Sequence, residues 1–246
     1  MTIGACSTVK NEADIIGPCI RNLLDQGVDS IIIADASTDG TRDILASFPE
    51  VYILDARGPW HDQERWMNQA AQMIGDAGHR WVVPFDADEL WGGAGLRGAG
   101  DAWSLTLADF LLCQAADVGI VEATLWHHRD WEHKYVPAER LPKVAFRWVE
   151  GATLAVGNHS VRLPGDWRTV SGLEIRHWQY RSLEHFRRKI RGNTASLQQW
   201  EIDRGDGIHI TQYAHLTDDE LEAVYRDITA QPVVFDPIPC PSQEAT

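Results

Sequence analysis

Toward its N-terminus the chain switches repeatedly between short continuous apolar runs and apolar residues spaced three to four apart. Thr2 to Val9 is one such run, and it stops at Lys10-Asn11-Glu12. Ile15, Ile16, Cys19, Ile20, Leu23 and Leu24 then recur at helical spacing up to Gln26-Gly27, where glycine ends the helix. Ser30 to Asp35 is β-branched and reads as a strand buried on both faces. Ser37-Thr38-Asp39-Gly40-Thr41 reads as a turn with a helix cap, and Thr41 to Phe48 as the helix it opens. Val51 to Leu54 predicts a third strand. His61 to Gly75 carries Trp66, Met67, Ala70, Ala71, Met73 and Ile74 on one helical face, and Arg80 to Phe85 predicts a fourth strand. Buried strands alternating with amphipathic helices imply an α/β class, with a Rossmann-like, mostly parallel central sheet flanked by helices.

Further along, the pattern is less regular. Gly92 to Gly100 is glycine-rich, Leu105 to Ala116 reads as a helix, and Gly119 to Leu125, Lys143 to Trp148, Leu154 to Val156 and Leu173 to Ile175 read as short strands. Ser182 to Gln199 predicts a long basic helix and Asp218 to Asp227 a last one. No linker separates two units, so one domain is expected over 1–230. The proline-containing segment 231–246 is expected to be a poorly ordered tail.

Charge changes the picture by exclusion. The 246 residues hold 22 Lys+Arg against 36 Asp+Glu, a formal net charge of −14. Nucleic acid and anionic membrane surfaces want clustered cations, so neither is expected as the main partner. The start lacks a basic stretch followed by an apolar one, and no apolar run approaches the ~20 residues of a membrane span. Four cysteines without a C-x-x-C pair favour a reduced, cytoplasmic setting. The 11 Trp stand out, because flat indole faces suit sugars as well as cores.

Ligands of parallel sheets bind beyond the carboxyl ends of the strands, and three polar loops fall there. After the fourth strand, Asp86-Ala87-Asp88 sets two carboxylates on the same side, since strand side chains alternate. Two such groups repel unless a positive charge lies between them, and oxygen ligands point to Mg²⁺ or Mn²⁺. Asp35, at the end of the second strand, suits a ribose hydroxyl or a base N–H. Ser37, Asp39 and Thr41 read as caps. Lys10-Asn11-Glu12 is a third polar group at that edge. The run His127-His128-Arg129-Asp130-Trp131-Glu132-His133 is a rival metal cluster, but its spacing is not that of a zinc hydrolase and its aromatics suit an acceptor loop equally.

In this order the motifs resemble family 2 glycosyltransferases of the GT-A fold. The branch concerned carries Lys-Asn-Glu-Ala-Asp-Ile-Ile (residues 10–16), Asp-x-Ser-x-Asp-Gly-Thr (35–41) and Phe-Asp-Ala-Asp-Glu-Leu-Trp (85–91). Looser matches follow at Gly157-Asn158-His159 and at His177 to Ser182. Ala34 departs from the family's usual Asp-Asp pair, of which Asp35 matches the second member. The resemblance implies a transferase that moves a sugar from a nucleoside-diphosphate sugar, a UDP-sugar first of all, with inversion. The acceptor would be a small molecule, a carrier-bound intermediate or a glycan. Residues 1–100 would bind the nucleotide and 101–230 the acceptor. Val9 and Glu12 would line the base pocket, Asp35 would contact base or ribose, and Asp86 and Asp88 would hold Mn²⁺ or Mg²⁺ on the diphosphate. His159 or His177 would add a third metal ligand, and Arg181 or Lys189 would bind the diphosphate. For the general base that inversion needs, Glu150 and Asp130 are the candidates, with Glu132 a further one. Trp91, Trp126, Trp131 and Trp178 flank these motifs and are candidates for stacking on sugar or acceptor. Two other readings compete: a sugar nucleotidyltransferase, disfavoured because no glycine-rich loop follows the first strand, and a non-catalytic nucleotide-sugar- or partner-binding module.

Overall fold

The computed structural model describes residues 2–57, 62–93, 105–136, 138–139, 141–195 and 211–236. Its apolar runs become parallel strands: β1 (Ile3–Val9), β2 (Ser30–Asp35), β3 (Val51–Asp55) and β4 (Trp81–Pro84). β1 lies between β2 and β4, with Val9 level with Asp35 and Cys6 level with Pro84. Continuous hydrophobicity follows from burial on both faces. On one side Ile3, Ala5, Val9, Ile31, Ile33 and Val83 meet Ile16, Ile20 and Leu23 of α1 (Ile16–Asp25) and Leu45 of α2 (Thr41–Ala46). On the other, Cys6, Ile32 and Val82 meet Met67, Ala70, Ala71 and Ile74 of α3 (Gln63–Asp76). Each large aliphatic side chain so buried contributes roughly 1.5–3 kcal/mol. Gly27, at φ 86°, turns the chain out of α1, as its position after the last apolar residue predicts.

Among the described residues the further strands and α-helices are β5 (Glu89–Gly92), α4 (Leu107–Leu112), β6 (Val118–His127), β7 (His133–Tyr135), β8 (Lys143–Arg147), β9 (Thr153–Leu154), β10 (Val161–Arg162), β11 (Arg168–His177), α5 (Leu183–Thr194), α6 (Asp218–Thr229) and β12 (Val233–Phe235). The main sheet has the order β3-β2-β1-β4-β8-β6-β11-β5. β8 runs antiparallel to β4 and β6, and β5 antiparallel to β11, so the mostly parallel sheet continues through the second half of the chain. The expected α/β class is therefore the observed one.

Several elements differ from the pattern along the chain. β6 and β11 are ten residues each, longer than their apolar cores, because they pair with one another along their length and tolerate polar residues such as Glu122 and Ser171 on a half-open face. β5 falls where only a loop was expected, its register fixed by β11 rather than by local periodicity. Within the expected tail, residues 233–235 pair with β7, while 237–246 lie outside the described residues. So do residues 94–100 of the glycine-rich stretch and the end of the expected helix beyond residue 195. Among the described residues no helix is long and apolar enough to cross a membrane.

One proline shapes the sheet edge. β4 pairs with β8 only at Trp81 and Val82. Phe85 N–H turns to the Cys6 carbonyl of β1 at 3.0 Å, so the N–H that Pro84 lacks is one that alternation would direct to β8. Beyond Val82 the two strands part, and the side chain of Lys143 enters beside Asp86.

Helix α3 is pressed against the start of the β8–β9 turn at Gly75, where a Cβ would come within 1.9 Å of Trp148 Cε2. Alanine would gain about 1 kcal/mol of helix propensity there but must displace a rigid indole, at a cost of about 1–3 kcal/mol. Gly75→Ala is expected to lower the urea unfolding midpoint; an unchanged or higher midpoint would show that Trp148 moves aside freely.

Candidate active site

The loops after β1 and β2 are locked to each other before any ligand is considered. Asn11, in the left-handed region at φ 58°, accepts from the Thr38 N–H at 2.8 Å. Its own N–H donates to Ser37 Oγ at 2.9 Å, and Glu12 N–H donates to Thr41 Oγ1 at 2.9 Å. Asp39 Oδ1 accepts from the Thr41 N–H, and Ser37, Asp39 and Thr41 are structural; they tie the two loops together rather than cap α2, whose N-cap is Gly40 without a side-chain bond. Asp35 is fully buried: Oδ1 accepts from Ser37 N–H at 3.0 Å and Oδ2 pairs with Arg42 at 3.1 Å. Val9 points into the core.

Next to these loops, Asp86, Asp88 and Glu89 emerge together between β4 and β5, and each meets a cation. The Lys143 ammonium, 4% exposed, contacts Asp86 Oδ2 at 2.6 Å, Glu89 Oε1 at 3.3 Å and the Gly157 carbonyl at 3.0 Å. Asn158 donates to Asp86 Oδ1 at 3.2 Å from a left-handed backbone at φ 60°. Asp88 Oδ2 meets Lys189 at 2.9 Å and Arg181 at 3.6 Å, while Oδ1 lies 3.2 Å from His177 Nε2. Arg181 also forks onto Asp14 at 2.7 and 2.9 Å and reaches Glu12. Burial pushes Asp88 up, but Lys189, His177 and Arg181 together hold it well below the ordinary carboxylate range. For Asp86 too, Lys143 outweighs burial and lowers the pKa. Glu89 goes the other way, because burial outweighs Lys143. Its Oε2 accepts from Trp91 Nε1 at 3.1 Å and from the Asp86 N–H at 3.0 Å.

The expected residues thus divide. Glu12, Asp86, Asp88, His177, Arg181 and Lys189 come together. His159 donates from Nδ1 to the Pro142 carbonyl at 2.9 Å and flanks Lys143, and it is His177 that reaches Asp88. Glu150 is not brought to the site. β8 runs away from it, and Trp148 N–H bonds the Arg80 carbonyl at the opposite edge of the sheet, so the following turn lies there as well. Asp130 lies in the turn after β6 with its oxygens engaged by Glu132 N–H, His133 and Arg129, which outweigh burial and hold it at about 2. A carboxylate held so low is a poor base at neutral pH. Trp91 and Trp178 are 0% and 3% exposed and pack in the interior, which removes them as stacking surfaces; Trp131 lies against Trp178 at 4.5 Å between ring centres. The rival cluster at 127–133 splits: His127 faces His177, His128 is buried near Asp236, and His133 turns to Asp130.

Lys143, Asn158, Asp14 and Glu139 were missed from the sequence. The one local signal was a lysine opening an otherwise apolar strand; its partners lie far along the chain.

Among the described residues no group of three His, Cys, Asp or Glu converges as a ready-made metal centre. The fit to a divalent ion rests on a smaller unit. Asp88 Oδ1 and His177 Nε2 are 3.2 Å apart. Adjacent ligands on an octahedron with bonds of about 2.1 Å lie about 3 Å apart. The carboxylate oxygen suits Mn²⁺ or Mg²⁺, and Asp86, with 35% of its side chain exposed, lies two residues before Asp88 in the turn between β4 and β5. A pocket beside this pair is lined by Lys10, Asn11, Glu12, His185, Arg188 and Lys189, a basic lining in an acidic protein.

Comparison with known proteins follows this geometry. The family model described as glycosyl transferase family 2 matches residues 5–200. No curated protein matches in a sequence search. Among solved structures, the chain is similar to mannosyl-3-phosphoglycerate synthase from Rubrobacter xylanophilus, at 25% identity and TM-score 0.35, over 51% of this chain and 40% of that one. It is also similar to S. aureus TarS 1-349 in complex with UDP-GlcNAc, at 12% identity and TM-score 0.46, over 91% and 76%. A third similarity is to 4-diphosphocytidyl-2C-methyl-D-erythritol synthase from Anaerococcus prevotii, at 10% identity and TM-score 0.37, over 59% and 71%. The aligned part covers 40% and 41% of the first two solved chains, about two fifths of their length.

The histidines beside the site make a pH prediction. Burial first, then His177, pushes His127 down from 6.5 to about 4; burial, then Arg176, pushes His128 to about 3. Both are neutral when folded and take up a proton on unfolding, so their contribution is present above pH 6.5 and is lost as pH falls toward 3. Urea unfolding at about pH 7 and pH 4.5 should show a loss of stability that is smaller in His128→Phe than in the wild type. Equal losses would remove His128 from the acid response.

Proposed function

The chain belongs to glycosyl transferase family 2, and we propose that it transfers a sugar, with inversion, from a nucleoside-diphosphate sugar to a small-molecule, carrier-bound or glycan acceptor. A UDP-sugar is the first choice of donor, and Mn²⁺ or Mg²⁺ the assisting cation. The observation that carries this reading is the grouping of Asp88 with His177, Lys189 and Arg181 beyond the carboxyl ends of β4 and β11. A diphosphate is the ligand class such a group suits, because it offers oxygens both to a bound cation and to ammonium and guanidinium donors.

In this reading Asp88 and His177 hold the metal, with Asp86 on its exposed side. When bound, the metal offsets the charge that builds on the leaving nucleoside diphosphate, an effect worth several kcal/mol. Lys189 and Arg181 bind the same diphosphate. Lys143 bridges Asp86 and Glu89 without itself reaching the ligand. Glu12 orients Arg181, and the locked loop at Asn11 forms the floor beneath the nucleotide. Asp86, Asp88, Glu89 and Glu12 are each engaged by a cation. The nucleotidyltransferase reading gains nothing from the loop after β1, which is Lys10-Asn11-Glu12 without glycine.

The test is a thermal-shift panel of nucleoside diphosphates with and without Mn²⁺. UDP with Mn²⁺ is expected to raise the melting temperature. Asp88→Ala should abolish that shift and lower kcat/KM by roughly 100-fold or more, the equivalent of several kcal/mol. No shift with any nucleoside diphosphate would overturn the reading.

A further inference from the structure

Behind His177 lies a chain of side chains that donor binding does not use. His177 Nδ1 is 3.1 Å from His127 Nδ1, and His127 Nε2 is 3.4 Å from Glu139 Oε2. At the other end His177 Nε2 is 3.2 Å from Asp88 Oδ1. The two rings are tilted by 44° with centres 4.9 Å apart, so these are edge contacts between nitrogens rather than a stacked pair. Between two facing Nδ1 atoms there is room for one proton, and whichever ring carries it sets the other as acceptor.

Both ends of the chain are carboxylates, and an ionised carboxylate can only accept. Glu139 therefore takes the His127 Nε2–H. His127 Nδ1 is left as an acceptor, and His177 donates its Nδ1–H to it. Nε2 of His177 then presents either a lone pair or a single replaceable proton toward Asp88.

We propose that Glu139 and His127 are positioning residues that hold the ring proton of His177 on Nδ1 and so reserve its Nε2 for the divalent cation. The proposal rests on the metal-assisted reading above for the identity of that cation, but the tautomer it assigns stands independently of it. Metal-ligating histidines commonly depend on such a partner at the second nitrogen, and losing it costs 10–100-fold in metal affinity. The sequence offers no sign of this. His127 sits in a polar run that reads equally as a loop, and Glu139 follows it at no recognisable spacing.

Glu139→Gln is the discriminating variant. Glu139 Oε1 accepts from the Leu141 N–H at 3.4 Å. If the amide oxygen of the variant keeps that bond, its NH₂ faces His127 Nε2 and reverses the relay, leaving His177 with its proton on Nε2. Side-chain ¹⁵N spectra of the full-length protein are expected to show Nδ1–H on His177 in the wild type and Nε2–H in the variant. EPR titration of Mn²⁺ with UDP present is expected to show binding roughly 10–100-fold weaker in the variant. A wild-type His177 without a proton on Nδ1, or a folded variant that binds Mn²⁺ as tightly as wild type, would overturn the relay. A wild type that carries Nδ1–H on His177 yet binds no Mn²⁺ would instead overturn the metal-assisted reading while upholding the relay.

Discussion

Three carboxylates in the four-residue stretch Asp86 to Glu89 cannot share one sheet edge without cations, and this constraint organises the molecule. The cations come from distant parts of the chain: Lys143 from the start of β8, Arg181 and Lys189 from the segment after β11. Lys143 arrives on a strand, Arg181 on the loop after β11 and Lys189 on helix α5. β8 parts from β4 beyond Val82, and β11 ends with His177 level with His127 of β6 and Glu89 of β5. Removing one partner would leave a buried charge uncompensated, which costs about 3–5 kcal/mol. The two halves of the sheet are therefore held together electrostatically where they converge on the site.

The same arrangement bears on the proposed chemistry. In that reading, a site whose own charges are already balanced presents fixed cations to an incoming diphosphate with little reorganisation. Its floor is equally fixed. Asn11, Ser37 and Thr41 tie the β1 and β2 loops together by side-chain-to-backbone hydrogen bonds, and Arg42 closes over Asp35. An acidic protein thus has a local basic surface, at Lys10, Arg188 and Lys189. Net charge describes what the whole surface attracts from a distance, and it gave no access to this pocket.

Much of this was legible in the chain. The four parallel strands were readable because burial on both faces demands unbroken apolar runs, and the Asp86-Ala87-Asp88 position followed from the end of the fourth. The local turn at Asp39 was readable because its bond spans two residues, whereas Ser37 and Thr41 do not cap the helix but tie it to Asn11 and Glu12, more than 25 positions away. Glu150 was misplaced because the direction of β8 is invisible in its residues: an apolar run has the same composition whichever way it crosses the sheet. Trp91 and Trp178 were taken for ligand surfaces because proximity in sequence to a motif does not tell which face a side chain occupies. β5 and β12 were overlooked because short strands owe their existence to partners elsewhere.

By itself, then, the sequence determined the α/β class and the acidic pair at the sheet edge, both consequences of local periodicity and spacing, while its motifs carried the resemblance to the family. Tertiary structure decided which cation faces which carboxylate, that His177 and not His159 meets Asp88, and that His127 and Glu139 stand behind it. The reason is physical. Hydrophobic patterning acts over a few residues and repeats. A charge's pairing depends on distances between side chains some 50 to 100 positions apart, such as Asp86 with Lys143 or Asp88 with Lys189, and only the folded sheet sets those distances.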